Sequence, residues 1–142
     1  MQSDLNDVTN RQDIQSIVAR FYETMLQDAI VGFIFTDIAQ IDLEEHLPVI
    51  VDFWFDVLFT QGKEQKQYKG NVLKKHLELN QLMSLKPGHF TRWLYLFNQA
   101  VNQQYAGDNA ELMKHRAELV AKTISAAITD QKRGDMNLIL PE

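Results

Sequence analysis

The chain has 142 residues, 45% of them hydrophobic, and a net charge of −5 from 14 basic and 19 acidic side chains. This length supports one domain with a single core, and the acidic balance argues against a general nucleic-acid binder. The absence of cysteine excludes disulfides, thiolate zinc sites, iron–sulfur clusters, a thiolate haem ligand and covalent haem attachment.

No stretch approaches the roughly 20 apolar residues of a membrane-spanning helix. The polar, acidic start from Met1 to Asp7 lacks the basic and apolar regions of a secretory signal. A cytoplasmic protein with no membrane partner is therefore expected. Only three prolines and six glycines interrupt the chain, which favours long helices and an all-α fold. A single domain spanning residues 1–142 is expected, with its core at about 11–128.

Residues 1 to 8 read as a loose leader. Thr9-Asn10-Arg11-Gln12 has the form of a capping box with Thr9 as N-cap, starting a helix that runs to about Gln27. Ile14, Ile17, Val18, Phe21, Tyr22 and Met25 recur at helical spacing on its inner face. Tyr22 points inward with them, so its hydroxyl needs a partner: a backbone carbonyl or a ligand. Phe33-Ile34-Phe35 follows almost at once. Three large apolar residues in a short connection are either ordinary core or an aromatic wedge against a flat cofactor.

A second helix is predicted from about Leu43 to Leu58, with His46, Ile50, Phe53, Trp54 and Val57 on one face. Pro48 fits best in a first turn, where its missing N–H costs nothing, so His46 is expected at the very start. Residues 60 to 71 have no periodicity and read as a solvated loop punctuated by Gly62 and Gly70. Lys63, Lys66, Lys69, Lys74 and Lys75 make this region locally basic. They form either a solubilising face or, for one or two of them, partners for cofactor carboxylates.

Tyr68-Lys69-Gly70-Asn71-Val72-Leu73-Lys74-Lys75-His76-Leu77 is the stretch with the most specific chemistry. It is too short for an independently stable helix, which takes roughly 12–15 residues. A neutral imidazole on such a packed segment is a usual way to hold a haem iron. From Leu77 to Lys86 the pattern is apolar but irregular, and Pro87-Gly88 marks a turn. The next helix is predicted over about His89 to Tyr105, with Phe90, Trp93, Leu94, Phe97, Ala100 and Val101 inward. Trp93 needs an acceptor for its indole N–H if buried.

Gly107 is placed as a C-terminal cap, and Asp108-Asn109-Ala110-Glu111 as a capping box. The last helix is predicted to run to about Thr129, with Met113, Ala117, Val120, Ile124, Ala127 and Ile128 inward and His115 exposed. Residues 130 to 142, with Gly134 and Pro141, read as a frayed, flexible tail. The connection from Phe59 to His89 is long for a helical bundle and carries a histidine, and a cofactor that it wraps around would account for its length. His46 and His76, on separate segments, could then flank a flat ligand.

Taken in series, these residues resemble the group III truncated haemoglobins. The pieces are Phe21-Tyr22, Val31-Gly32-Phe33-Ile34-Phe35, Glu44-Glu45-His46-Leu47-Pro48 and Asp52-Phe53-Trp54. Tyr68-Lys69-Gly70-Asn71 then leads to Lys74-Lys75-His76-Leu77, followed by Phe90-Thr91-Arg92-Trp93-Leu94-Tyr95-Leu96-Phe97. The resemblance covers roughly residues 11 to 128. Three features depart from it: a longer connection at Glu64-Gln65-Lys66-Gln67, Val72 where proline often follows the asparagine, and Phe33 where proline often follows the glycine. The glycine pairs of the other truncated groups are absent.

The resemblance implies a two-over-two helical sandwich around b-type haem (iron protoporphyrin IX). It implies His76 as the proximal iron ligand, and Tyr22 and Trp93 as donors to a bound ligand. His46 would be a distal histidine that gates access or binds iron. Phe35 would pack on the haem face and Trp54 near the distal wall, with Phe53, Tyr68 and Phe97 completing the haem-binding set. Oxygen, carbon monoxide, nitric oxide or peroxide would be the ligands, and a reductase a partner. Reversible oxygen binding leads. A nitric oxide dioxygenase or peroxidase-like haem enzyme and a cofactor-free helical interaction module are the alternatives.

Overall fold

A computed structural model of the chain describes residues 5–40, 42–60, 66–68, 70–82 and 85–139. The expectations placed on residues 1–4, Gly62, Lys63, Glu64, Gln65, Lys69, Met83, Ser84 and Pro141 lie outside the described residues. Five helices follow in order: α1 Arg11–Met25, α2 Leu43–Phe59, α3 Val72–Leu82, α4 Pro87–Gln104 and α5 Asp108–Ile139. One π-helical turn, Ile34–Ile38, lies between α1 and α2. Among the described residues there is no strand. The fold is all-α, a two-over-two sandwich: α1 packs on α2, α4 packs on α5, and the pairs meet through α1 on α4 and α2 on α5. The shorter α3 rests against α5.

The apolar stripe predicted for α1 is buried throughout, from Ile14 to Met25. Its start lies one residue later than predicted. Asn10 is the N-cap, and its side-chain oxygen accepts the Asp13 N–H at 2.9 Å. Asp13 reaches back to the Thr9 N–H and hydroxyl and also accepts from Tyr105 on α4. The pairing is the predicted reciprocal cap shifted by one position, because Asp13 satisfies three donors from two parts of the chain.

The end of the leader is not loose. Val8 is fully buried, Asn6 accepts the Ala106 N–H, and Asp7 caps a helix a hundred residues away. Its two carboxylate oxygens take the N–H groups of Asn109 and Ala110, both at 2.9 Å. Those are the second and third residues of α5, the donors an N-cap side chain normally satisfies. Gly107 is therefore the N-cap position of α5 rather than a C-terminal cap, and Asp108 lies inside the helix rather than capping it. At φ +141° a Cβ on Gly107 would sit 2.5 Å from the Asp7 carboxyl carbon, so only glycine admits the borrowed cap.

Burial raises the Asp7 pKa, but the backbone N–H bonds outweigh it and hold the group below its ordinary 3.8. A depressed carboxyl stabilises the fold above its unfolded pKa and loses that contribution as pH falls through its folded value. Asp7→Ala is expected to cost about 1 kcal/mol at pH 7, with the gap to wild type closing in strong acid. Urea unfolding at both pH values checks this, and an equal gap at both would refute it.

Three further boundaries differ from expectation. Pro48 is the sixth residue of α2, one turn deeper than predicted, and packing on α1 and α5 holds the helix around it. α3 continues through Leu82 instead of fading after Leu77, because Asn71 caps it through the Lys74 N–H at 3.0 Å. Pro87 is the first residue of α4, not a turn before it, since proline is preorganised for that position. α5 runs ten residues beyond its expected end. Leu96 and Ala121 join the core, while Val120 and Ala127 are half-buried and His115 is exposed as expected.

Candidate functional site

A cavity of about 470 Å3 opens between the two helix pairs. Every helix contributes to its wall, and the residues of the expected haem and ligand set lie on it: Tyr22 from α1, Phe35 from the π turn, His46, Phe53 and Trp54 from α2, Tyr68 from the following loop, His76 from α3, and Trp93 and Phe97 from α4. Among the described residues no carboxylate lines it. Its size falls within the roughly 300–1,000 Å3 of small-molecule and cofactor clefts.

The aromatic side chains are locked to one another. Trp54, Phe97 and Trp93 form a stack, with centroids 4.9 and 5.6 Å apart and planes within 21° and 11°. Phe21 meets Tyr22, Trp93 and Phe97 edge-on, and Phe53 meets Trp54 and Tyr68 the same way. Edge-to-face and offset pairs are the favoured geometries of ring quadrupoles, so this wall is stiff.

Two polar groups meet inside it. Tyr22 Oη and His46 Nε2 are 2.7 Å apart, and the Tyr22 ring lies edge-on to both His46 and Phe35. Burial pushes the Tyr22 phenol well above its ordinary pKa. Burial, and secondarily the positive potential of His76, lowers His46 from its ordinary 6.5. At neutral pH the pair is thus a phenol and an uncharged imidazole. In the Nδ1–H tautomer His46 accepts the phenol proton. In the Nε2–H tautomer His46 donates, and the hydroxyl hydrogen is free to point elsewhere. Trp93 is half-buried, and its indole N–H makes no hydrogen bond to a described residue.

The remaining geometry explains how these groups are held. Asp28, at the end of α1, accepts two N–H bonds from Arg92, at 3.0 and 2.7 Å. Its other oxygen takes the Ile30 and Val31 N–H groups. Arg92 chiefly, and those amides with it, keep the Asp28 carboxyl below its ordinary range. This knot fixes the start of the π turn to the helix that carries Trp93. A Cβ on Gly70 would lie 2.5 Å from the Tyr68 hydroxyl, so glycine there lets the ring fold back over the chain.

Sequence reasoning missed His89 and Val49 as cavity residues, while Lys75, one of the lysines offered as a partner for cofactor carboxylates, lines the cavity. His89 was legible only as a histidine near a helix start. Its Nδ1 accepts the Lys86 N–H at 3.0 Å, which fixes the ring at the mouth of α4. Among the described residues, Val57, Lys66 and Lys74 do not line the cavity.

No family model matches the chain. It is 31% identical over 118 residues to the group 3 truncated hemoglobin ctb of Campylobacter jejuni, an alignment covering 81% of this chain and 87% of that protein. The crystal structure of a group III truncated hemoglobin from the same organism superimposes with a TM-score of 0.72 at 28% identity, over 90% of this chain and 95% of the other.

Proposed function

This chain belongs to the group III truncated haemoglobins, and on that premise we propose that it holds b-type haem in the cavity and reversibly binds oxygen and related diatomic ligands there. The observation that carries the reading is the convergence of His76 and the Tyr22–His46 pair on one apolar, carboxylate-free cavity. Among the described residues no three His, Cys, Asp or Glu side chains come together to hold a metal ion. A metal here would need most of its ligands from another source, and a porphyrin brings four nitrogens, leaving one imidazole to complete a pentacoordinate iron.

In this reading His76 is the iron ligand, and the flat aromatic wall of Phe35, Phe53, Trp54, Tyr68, Trp93 and Phe97 packs around the macrocycle. Among the described members of the lysine cluster, Lys75 lines the cavity and is the natural partner for a haem carboxylate. Haem bound here would supply an iron able to hold a diatomic ligand. The protein's part is to present donors in a water-poor site, where each is worth more than in bulk water. Tyr22 and Trp93 are those donors, and His46 sets which way the Tyr22 hydroxyl hydrogen points.

An absorption spectrum tests the reading directly. The purified protein, or the apoprotein given haemin, is expected to show a Soret band that shifts on reduction and again with carbon monoxide. A protein that stays colourless with added haemin would leave the interaction-module alternative. Turnover of nitric oxide or peroxide would separate binding from the enzyme alternative, in which a reductase keeps the iron ferrous.

A further inference from the structure

Asp56 lies in the last turn of α2, off the cavity wall, and the stripe that carries His46 and Trp54 does not include it. It nonetheless accepts three hydrogen bonds from the chain that follows the helix. Its Oδ1 accepts from the Thr60 hydroxyl at 2.7 Å and the Gln67 N–H at 2.9 Å, and its Oδ2 from the Tyr68 N–H at 2.7 Å. Burial works against its charge, yet these donors, with the field of Lys66, keep the carboxyl below its ordinary range. Short bonds from backbone N–H to a carboxylate are the strong kind.

We propose that Asp56 is a positioning residue for the haem site: it clamps the chain at Gln67–Tyr68 and thereby sets Tyr68 and the start of α3, which carries His76. The inference rests on the haem reading above. The clamp joins residues eleven and twelve positions apart, so the connection that is longer than the family pattern is closed at its base. From the clamp the chain needs only three residues to Asn71, whose side chain caps α3 at the Lys74 N–H. Tyr68 in turn lies edge-on to Phe53, which lies edge-on to Trp54. A single carboxylate therefore ties the end of α2, the cavity wall and the entry to α3. Lys66 is drawn to the same group, and no other carboxylate shares these three bonds.

Asp56→Asn removes the acceptor oxygen from one side and points an N–H2 group at the N–H donors it faced. Asp52→Ala is the control. It deletes a carboxylate from the same helix, one whose partner is the exposed Arg11. Both variants are made as holoprotein and checked for helical content and melting. Asp56→Asn is expected to transfer haem to an apo-globin acceptor about tenfold faster than wild type, the scale seen when a ligand loses its supporting shell. Its ferrous iron–histidine stretching band should shift or broaden, while Asp52→Ala matches wild type in both. A folded Asp56→Asn protein with wild-type transfer rate and an unchanged band would overturn the proposal, even if its melting temperature fell. So would identical changes in the two variants. If Asp56→Asn fails to fold, Thr60→Val, which removes one bond to the same oxygen, carries the test: a smaller shift in the same band is expected, and an unchanged one would overturn the clamp. Wild-type protein that takes up no haem would instead defeat the haem reading and is told apart at once.

Discussion

Replacing His76 with alanine is expected to empty the cavity of haem. In the proposed site one imidazole holds the iron, and no second protein ligand is committed to it. Of the other two histidines on the wall, His46 is already engaged by Tyr22 at 2.7 Å and His89 accepts the Lys86 N–H at 3.0 Å. Losing a supporting partner typically costs roughly 10–100-fold in metal affinity, and losing the ligand itself should exceed that. The apolar wall would still hold the macrocycle weakly, so the expected result is protein purified largely colourless, with added haemin released quickly to an apo-globin acceptor. Imidazole added to the variant should restore a five-coordinate ferrous spectrum, since the small ligand fits the space the side chain leaves. Retained haem with an unchanged spectrum would remove His76 from the site. Because α3 is only 11 residues long, below the length at which an isolated helix holds itself together, melting of the apoprotein serves as the check that its packing survives.

The histidine was legible because its chemistry is unusual for its setting, a charged-flanked imidazole on a short segment after a long connection. The helices were legible for a different reason. The stripe from Ile14 to Met25 repeats with the period of the helix, and every member proved buried. The inner faces of α2 and α4 were read the same way, and the rings they carry meet in the Trp54–Phe97–Trp93 stack. Periodicity reports which face turns inward, so it reaches as far as the face and no further.

What escaped it were interactions between residues far apart in the chain. Asp7 looked like part of a polar leader, yet it caps α5 from 102 positions away. Asp28 and Arg92 are separated by 64 residues, and neither carries a local sign of the other. Gly107 was read as a helix end because a glycine beside polar residues fits either terminus. Only the Asp7 carboxylate, lying where a Cβ would be, decides between them. The polar contact of Tyr22 with His46 joins two side chains that the sequence had placed inward for separate reasons. Their distance depends on how α1 packs against α2, and helix packing is a tertiary quantity.

That contact governs the second large effect. Tyr22→Phe is expected to speed oxygen release by roughly tenfold, from two opposed terms. A hydrogen bond to a partly charged acceptor contributes about 1.5–3 kcal/mol. Against it stands the bond that Tyr22 makes to His46 in the ligand-free protein, worth about 1 kcal/mol, which is surrendered if the hydroxyl must turn to the ligand. The net of about 0.5–2 kcal/mol brackets roughly a decade in rate. The two terms separate experimentally. His46→Leu removes the competing partner and leaves the phenol free, so this variant should release oxygen no faster than wild type, whereas Tyr22→Phe should release it faster. The Tyr22 phenol is pushed up by burial and stays protonated, so it remains a donor across the accessible pH range. His46 is lowered, so it becomes charged only below its ordinary 6.5, where its Nε2 can no longer accept from the phenol. Below that point the wild-type release rate should approach that of His46→Leu, and above it the rate should be flat. Release measured by displacement with carbon monoxide, across pH in all three proteins, decides the matter. An unchanged rate in Tyr22→Phe would mean that Trp93, on the same cavity wall, carries the donor role alone.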